Sequence, residues 1–116
     1  MNYREDASLR LRWTEIEPEP EANDEPRYAP AAAAARIGIR VQTIRRWEDE
    51  GLIEPRRGER GPLYSDADLE QLARIRRLTD DLGVNLAGVA AVLHLRQQVV
   101  ALQREMLALR RALSQR

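Results

Sequence analysis

The stretch YAPAAAAARIGIRVQTIRRWEDEGLIEPRRGERGPLYS, Tyr28 to Ser65, reads as one uninterrupted winged helix-turn-helix. The alanine run Ala31 to Ala35 makes a first helix. Pro30 opens it at a position whose N–H would have no intrahelical partner in any case. Gly38 ends that helix. Val41, Ile44 and Trp47 recur at helical spacing, which predicts a second helix with an apolar stripe on one side. Arg40, Gln42, Thr43, Arg45 and Arg46 are left on its polar side, where they can face a groove. Gly51 closes this helix. Leu52-Ile53-Glu54 and Leu63-Tyr64 then read as short extended runs joined by a loop, Pro55 to Pro62, with hairpin punctuation. A planar guanidinium is shaped to bridge phosphate oxygens. Arg56, Arg57 and Arg60 beside a helix carrying Arg45 and Arg46 therefore predict a clamp on the backbone of duplex DNA. The alternative is a loop whose arginines are merely solvated; their pairing with a helix-turn-helix favours DNA.

The 116 residues allow one small domain with appendages, and a 43% hydrophobic content without a membrane-length apolar run predicts a soluble protein. The N-terminus is acidic and has no apolar core stretch, so no secretory signal is expected and a cytoplasmic location follows. The chain has no Cys, which excludes disulfides, thiolate metal sites, iron–sulfur clusters and thiol redox sensing. The single His94, between Leu93 and Leu95, is too little for a metal site and reads as a partly packed or interfacial side chain. No cofactor is expected. Without a nucleophile–base pair, a metal cluster or a phosphate-binding Gly loop, the chain does not read as an enzyme.

A net charge of zero suits a DNA binder only once it is divided by segment. Residues 1–26 hold three arginines against eight acids, a net −5, so the rest of the chain is +5. Pro18, Pro20 and Pro26 interrupt that acidic stretch, and its apolar surface is too small to offset its ordering entropy. Residues 1–26 therefore read as a disordered acidic tail that could compete with DNA for the basic face. Leu9, Leu11 and Trp13 alternate at a two-residue period, which leaves a short strand or a docking segment open there.

Ser65 caps a third helix whose first turn holds Asp66 and Asp68 at the favourable end of the macrodipole. Leu69, Leu72, Ile75 and Leu82 form its expected buried face, Gly83 stops it, and Asn85 caps the next helix. That helix either runs on or restarts after a bend. Val92, Leu95, Val99, Leu102, Met106, Leu109 and Leu113 follow at separations of three and four in strict alternation, a heptad seam. No helix in so short a chain is left to cover it, so the seam predicts a homodimer through a two-stranded coiled coil. An amphipathic helix folded back on its own domain is the alternative, less consistent with the 3.5-residue period. Antiparallel pairing is the working orientation, although the seam alone does not decide it. The expected organisation is a tail over residues 1–26, a DNA-binding domain over 27–94 and a dimerisation helix over 95–116. The fold class is mainly α, with a small β-hairpin wing.

Tyr28, the Ala helix, Gly38, Thr43-Ile44-Arg45, Trp47-Glu48, Gly51-Leu52, Pro55, Leu63-Tyr64-Ser65 and Asp68-Leu69 together resemble the DNA-binding domain of MerR-type transcriptional regulators. The seam is similar to their dimerisation helix. Within that family, Leu82 to Val89 resembles the HspR-like heat-shock repressors, which bind inverted repeats upstream of chaperone operons. The resemblance implies that Thr43 and Arg45 face the major groove and the phosphates, and that Arg56 and Arg57 touch the backbone from the wing. Trp47 stands where the family has an aromatic residue, usually Tyr; on the apolar stripe its role is packing. Tyr64 reads as a core residue at the base of the wing. Arg46 and Pro62 depart from the family pattern, and Arg60 or Arg46 would supply the phosphate contact that Pro62 removes. The resemblance further implies a DnaK-type chaperone as corepressor. A related modulator that binds a J-domain co-chaperone instead of DNA is the rival, but it would not need the wing arginines.

Overall fold

The computed structural model describes residues 22–115. The expectations for residues 1–21, including the Leu9, Leu11 and Trp13 segment, lie outside the described residues. The chain is mainly helical, with one two-stranded antiparallel hairpin and a long last helix. Its elements are α1 (Pro30–Ile37), α2 (Val41–Asp49), β1 (Arg56–Gly58), β2 (Gly61–Leu63), α3 (Asp66–Arg76), a π-helical turn (Arg77–Asp81) and α4 (Leu86–Ser114).

The helix-turn-helix is built by two glycine-assisted chain reversals. Gly38, at φ +79°, takes the left-handed conformation that a side chain would resist, and the N–H groups of Gly38 and Ile39 return to the Ala34 carbonyl. Ala33 and Ala34 are buried, and their small size lets α1 lie close against α2. α2 turns Ile44 and Trp47 into the core, as its apolar stripe predicts. It ends in a Schellman motif: Leu52 N–H returns to the Trp47 carbonyl and Gly51 N–H to the Glu48 carbonyl, with Gly51 at φ +75°. Leu52 and Ile53 are consequently buried anchors beneath the wing.

That burial moves the hairpin from its expected place. The strands are not Leu52–Glu54 and Leu63–Tyr64 around a long loop. Instead the ladder pairs Arg56 with Leu63, Arg57 with Pro62 and Gly58 with Gly61, leaving only Glu59 and Arg60 to connect them. Residues 52 and 53 are committed to the core, and the chain becomes free to pair only after Pro55. Pro62 is tolerated because each strand has an unpaired edge. Tyr64, just beyond β2, is fully buried and forms a separate bridge with Tyr28.

Ser65 caps α3 through a reciprocal pair of bonds. Asp68 N–H donates to Ser65 Oγ (3.1 Å) and Ser65 N–H donates to Asp68 Oδ2 (2.9 Å), with the shorter Asp serving where Glu or Gln is usual. Because Ser65 is itself buried, Ser65→Ala should cost about 1–2 kcal/mol. A urea titration at an unchanged m-value checks this; an unmoved midpoint would mean that water replaces the cap.

Leu72 and Ile75 are buried as expected, but Leu82 is 70% exposed and does not belong to that face. The π-helical turn at Arg77–Asp81 is the cause: its wider winding rotates the following residues off the α-helical stripe. Leu78 packs against the core instead, and Thr79 Oγ1 donates to the Ile75 carbonyl (3.0 Å) within the distorted ladder. Gly83 then turns the chain, and Asn85 Oδ1 accepts from Gly88 N–H (2.8 Å) to cap α4. α4 is continuous over 29 residues, with no restart. Its first two turns contribute Val89 and Leu93 to the core. The compact body ends at Leu93, and the helix from His94 onward belongs to a second unit.

Candidate nucleic-acid interface

On α2, Gln42, Arg45 and Arg46 are exposed, Thr43 is half-buried, and Arg40 is the exposed N-cap residue. These five are not one uniform surface. Thr43 and Arg46, with Trp47, line a groove of about 330 Å³ whose other wall is formed by Thr79, Asp80, Val84, Asn85 and Leu86. Gln42 and Arg45 do not line it. Arg46, which departs from the family pattern, therefore shares the groove rim with Asp80, whereas Arg45 keeps the exposure expected of a groove-reading residue.

The wing arginines also divide. Arg56 and Arg57 are consecutive residues of β1, so their side chains leave opposite faces of the ribbon, and Arg60 is in the two-residue connection. All three are exposed. Arg57 acts electrostatically on Glu48, as does Arg45 from its own helix. The Glu48 carboxyl also accepts a hydrogen bond from the buried Tyr64 hydroxyl. Burial, then repulsion by Asp49, raises its pKa, and Arg45 and Arg57 partly offset that rise. The Tyr64 hydrogen bond to Glu48 thus ties α2 to the base of the wing.

The segment Asn23 to Tyr28 completes this side of the body. Ala67 N–H donates to the Asn23 carbonyl (3.1 Å), and the N–H groups of Arg27 and Tyr28 both donate to the Tyr64 carbonyl (2.9 and 2.8 Å). Arg27 pairs with Asp66 (3.2 Å), and the Tyr28 hydroxyl donates to the same carboxylate (2.7 Å). The Arg36 guanidinium lies over the Tyr28 ring at 4.6 Å. Between these anchors, Asp24 forms an ion pair with Arg56. Sequence reasoning missed Asp24 and Glu48 as partners of the arginines. The Trp47-Glu48 pair was visible as a family feature, but nothing local signalled Asp24, which lies 32 positions from Arg56.

All seven seam residues from Val92 to Leu113 are exposed in the single chain. His94 is exposed as well, with Nε2 at 3.3 Å from Gln98 Nε2. Among the described residues no helix is long and apolar enough to cross a membrane.

The sequence pattern described as MerR HTH family regulatory protein matches residues 28–95, which takes in both helices, the wing, α3 and the start of α4. The chain belongs to the MerR family. That family is one of transcriptional regulators rather than enzymes. This MerR-family chain is 40% identical over 81 residues to the "Putative heat shock protein HspR" of Streptomyces coelicolor, covering 69% of this chain and 54% of that protein. It is also 41% identical over 63 residues to the HTH-type transcriptional repressor CarH of Myxococcus xanthus, covering 53% of this chain and 21% of the relative. The chain therefore spans about half the length of the first relative and about a fifth of the second. Its fold is shared with the transcription regulator PbrR691 from Ralstonia metallidurans CH34, solved in complex with lead(II). The TM-score is 0.56 at 24% identity, over 77% of this chain and 84% of that one.

Proposed function

We propose that this MerR-family regulator is a homodimeric repressor of heat-shock or chaperone genes that binds an inverted-repeat operator as double-stranded DNA. The observation that carries the DNA-binding part is the match of residues 28–95 to the MerR family pattern, with Arg45 exposed on α2, Arg57 exposed on β1, and Glu48 of α2 hydrogen-bonded to Tyr64 just beyond β2. Arg40, Gln42, Thr43, Arg46, Arg56 and Arg60 extend that surface, with Thr43 and Arg46 at its groove edge. Each operator half-site takes one copy, and the exposed seam from Val92 to Leu113 joins two copies. The heat-shock assignment is supported by the 40% identity to the HspR relative, and a DnaK-type chaperone is the corepressor that this assignment implies. The wing arginines favour this reading over a modulator that binds a J-domain co-chaperone.

The test is a gel-shift titration on an inverted-repeat operator with the full chain. Arg45→Ala should weaken binding by about 1–3 kcal/mol without changing the melting curve, because the side chain lies off the Ile44/Trp47 stripe. Added DnaK-type chaperone should tighten wild-type binding, since a corepressor that prefers the DNA-bound state raises DNA affinity by the factor by which DNA raises its own. Unaltered operator affinity in Arg45→Ala rejects the interface, and an unaltered affinity with chaperone rejects the corepressor.

A further inference from the structure

We propose that Asp24 is a built-in phosphate mimic, neutralising Arg56 of the wing in the free protein and giving way when a DNA phosphate takes the same guanidinium. This inference rests on the reading of the wing as a DNA contact. The position of Asp24 follows from its neighbours, because the backbone on either side of it is fastened to the body. On one side the Asn23 carbonyl accepts from Ala67 N–H at the start of α3 (3.1 Å), and Asn23 Oδ1 accepts from Glu25 N–H (2.8 Å) to fold the segment back on itself. On the other side Arg27 and Tyr28 are held by the Tyr64 carbonyl and by Asp66. The short connection between these anchors carries the Asp24 carboxylate onto Arg56, a residue of a different element 32 positions away.

Carboxylate and phosphate present a guanidinium with the same thing, anionic oxygens that accept paired N–H bonds, so one Arg cannot satisfy both fully. The Asp24 and Arg56 side chains are 71% and 57% exposed. A pair so open to water is weak, and a DNA phosphate can displace the carboxylate. The displaced Asp24 nevertheless remains tethered beside the duplex, where it repels phosphates. Asp24 therefore lowers affinity for any duplex and leaves base preference untouched, which suits a regulator that must not be held on non-operator DNA.

The experiment is a double-mutant cycle in the full chain, read by fluorescence anisotropy on labelled duplex from low to high salt. Asp24→Asn should bind roughly two- to fivefold more tightly than wild type at low salt, the size expected for releasing one exposed ion pair. Its log affinity should fall more steeply with log salt, by up to about one unit, so that the advantage vanishes at high salt. In an Arg56→Ala background the same substitution should gain clearly less, because only the general repulsion between Asp24 and the phosphates is left to remove. Glu25→Gln, which removes a neighbouring charge without touching the pair, should raise affinity less than Asp24→Asn does. An Asp24→Asn gain that persists undiminished in Arg56→Ala, or no gain at all, overturns the mimic while leaving the DNA-binding reading intact. A wild-type chain that binds no duplex at low salt overturns both.

Discussion

Leu102→Asp should convert the protein from a dimer to a monomer in light scattering, and operator affinity should fall with it by about a hundredfold or more. In the isolated chain Leu102 is 63% exposed, so a carboxylate there is hydrated and costs the monomer little. In the proposed coiled coil the same position lies inside the seam, where the charge would lose its water and meet the leucines and valines of the facing helix. The cost of that desolvation is several kcal/mol per interface, enough to dissociate a two-stranded coil of about three heptads. Melting of the body up to Leu93 should be unchanged, because its core residues on α4, Val89 and Leu93, are more than two turns upstream. A two-fold regulator owes most of its affinity to engaging both half-sites at once, so the monomer retains the fold of the DNA-binding unit but little operator binding. Light scattering that still reports a dimer for Leu102→Asp would place the interface elsewhere.

Where local chemistry decides the structure, it was legible in the sequence. Gly38 and Gly51 end helices in conformations few other residues adopt, Ser65 caps the helix that follows it, and Ile44 and Trp47 share a helical face. Each of these is settled within one or two turns of chain. The errors arose where a residue's partner is distant or the winding is irregular. Leu52 and Ile53 look like a strand, but burial beneath the wing claims them first, and pairing starts only at Arg56. Leu82 fits an α-helical stripe and is turned outward by five residues of π-helix, whose wider period no apolar pattern announces. The candidate contact arginines were found as a set by their number and placement. Their individual environments were not: Arg56 is paired with Asp24, Arg57 acts on Glu48, and Arg46 faces a groove with Asp80. Those distinctions depend on contacts between elements, which the local pattern does not encode.

Trp47→Ala should be the most destabilising single change on the recognition helix, and it separates folding from DNA contact. The indole is 4% exposed and packs in the core cluster with Ile44, Leu52 and Tyr64, while its backbone carbonyl receives the Leu52 N–H that ends the helix. Truncation removes a large apolar surface and leaves a cavity in the core, at a cost of about 3–5 kcal/mol. A domain of this size has a total stability of only about 5–15 kcal/mol, so the urea midpoint followed by far-UV circular dichroism should drop steeply. Operator binding should fall in step with the folded fraction. Arg45, two positions earlier and exposed on the same helix, should show the reverse pattern, with binding weakened and the midpoint kept. Trp47→Phe retains an aromatic ring on the stripe and should recover much of both. The contrast matters because the family has an aromatic residue here that could act through a side-chain donor on a phosphate. A Trp47→Ala protein that keeps its midpoint yet loses the operator would make the indole a DNA contact, and the assignment of α2 into a packed Ile44/Trp47 face and a reading Arg45 face would have to be redrawn.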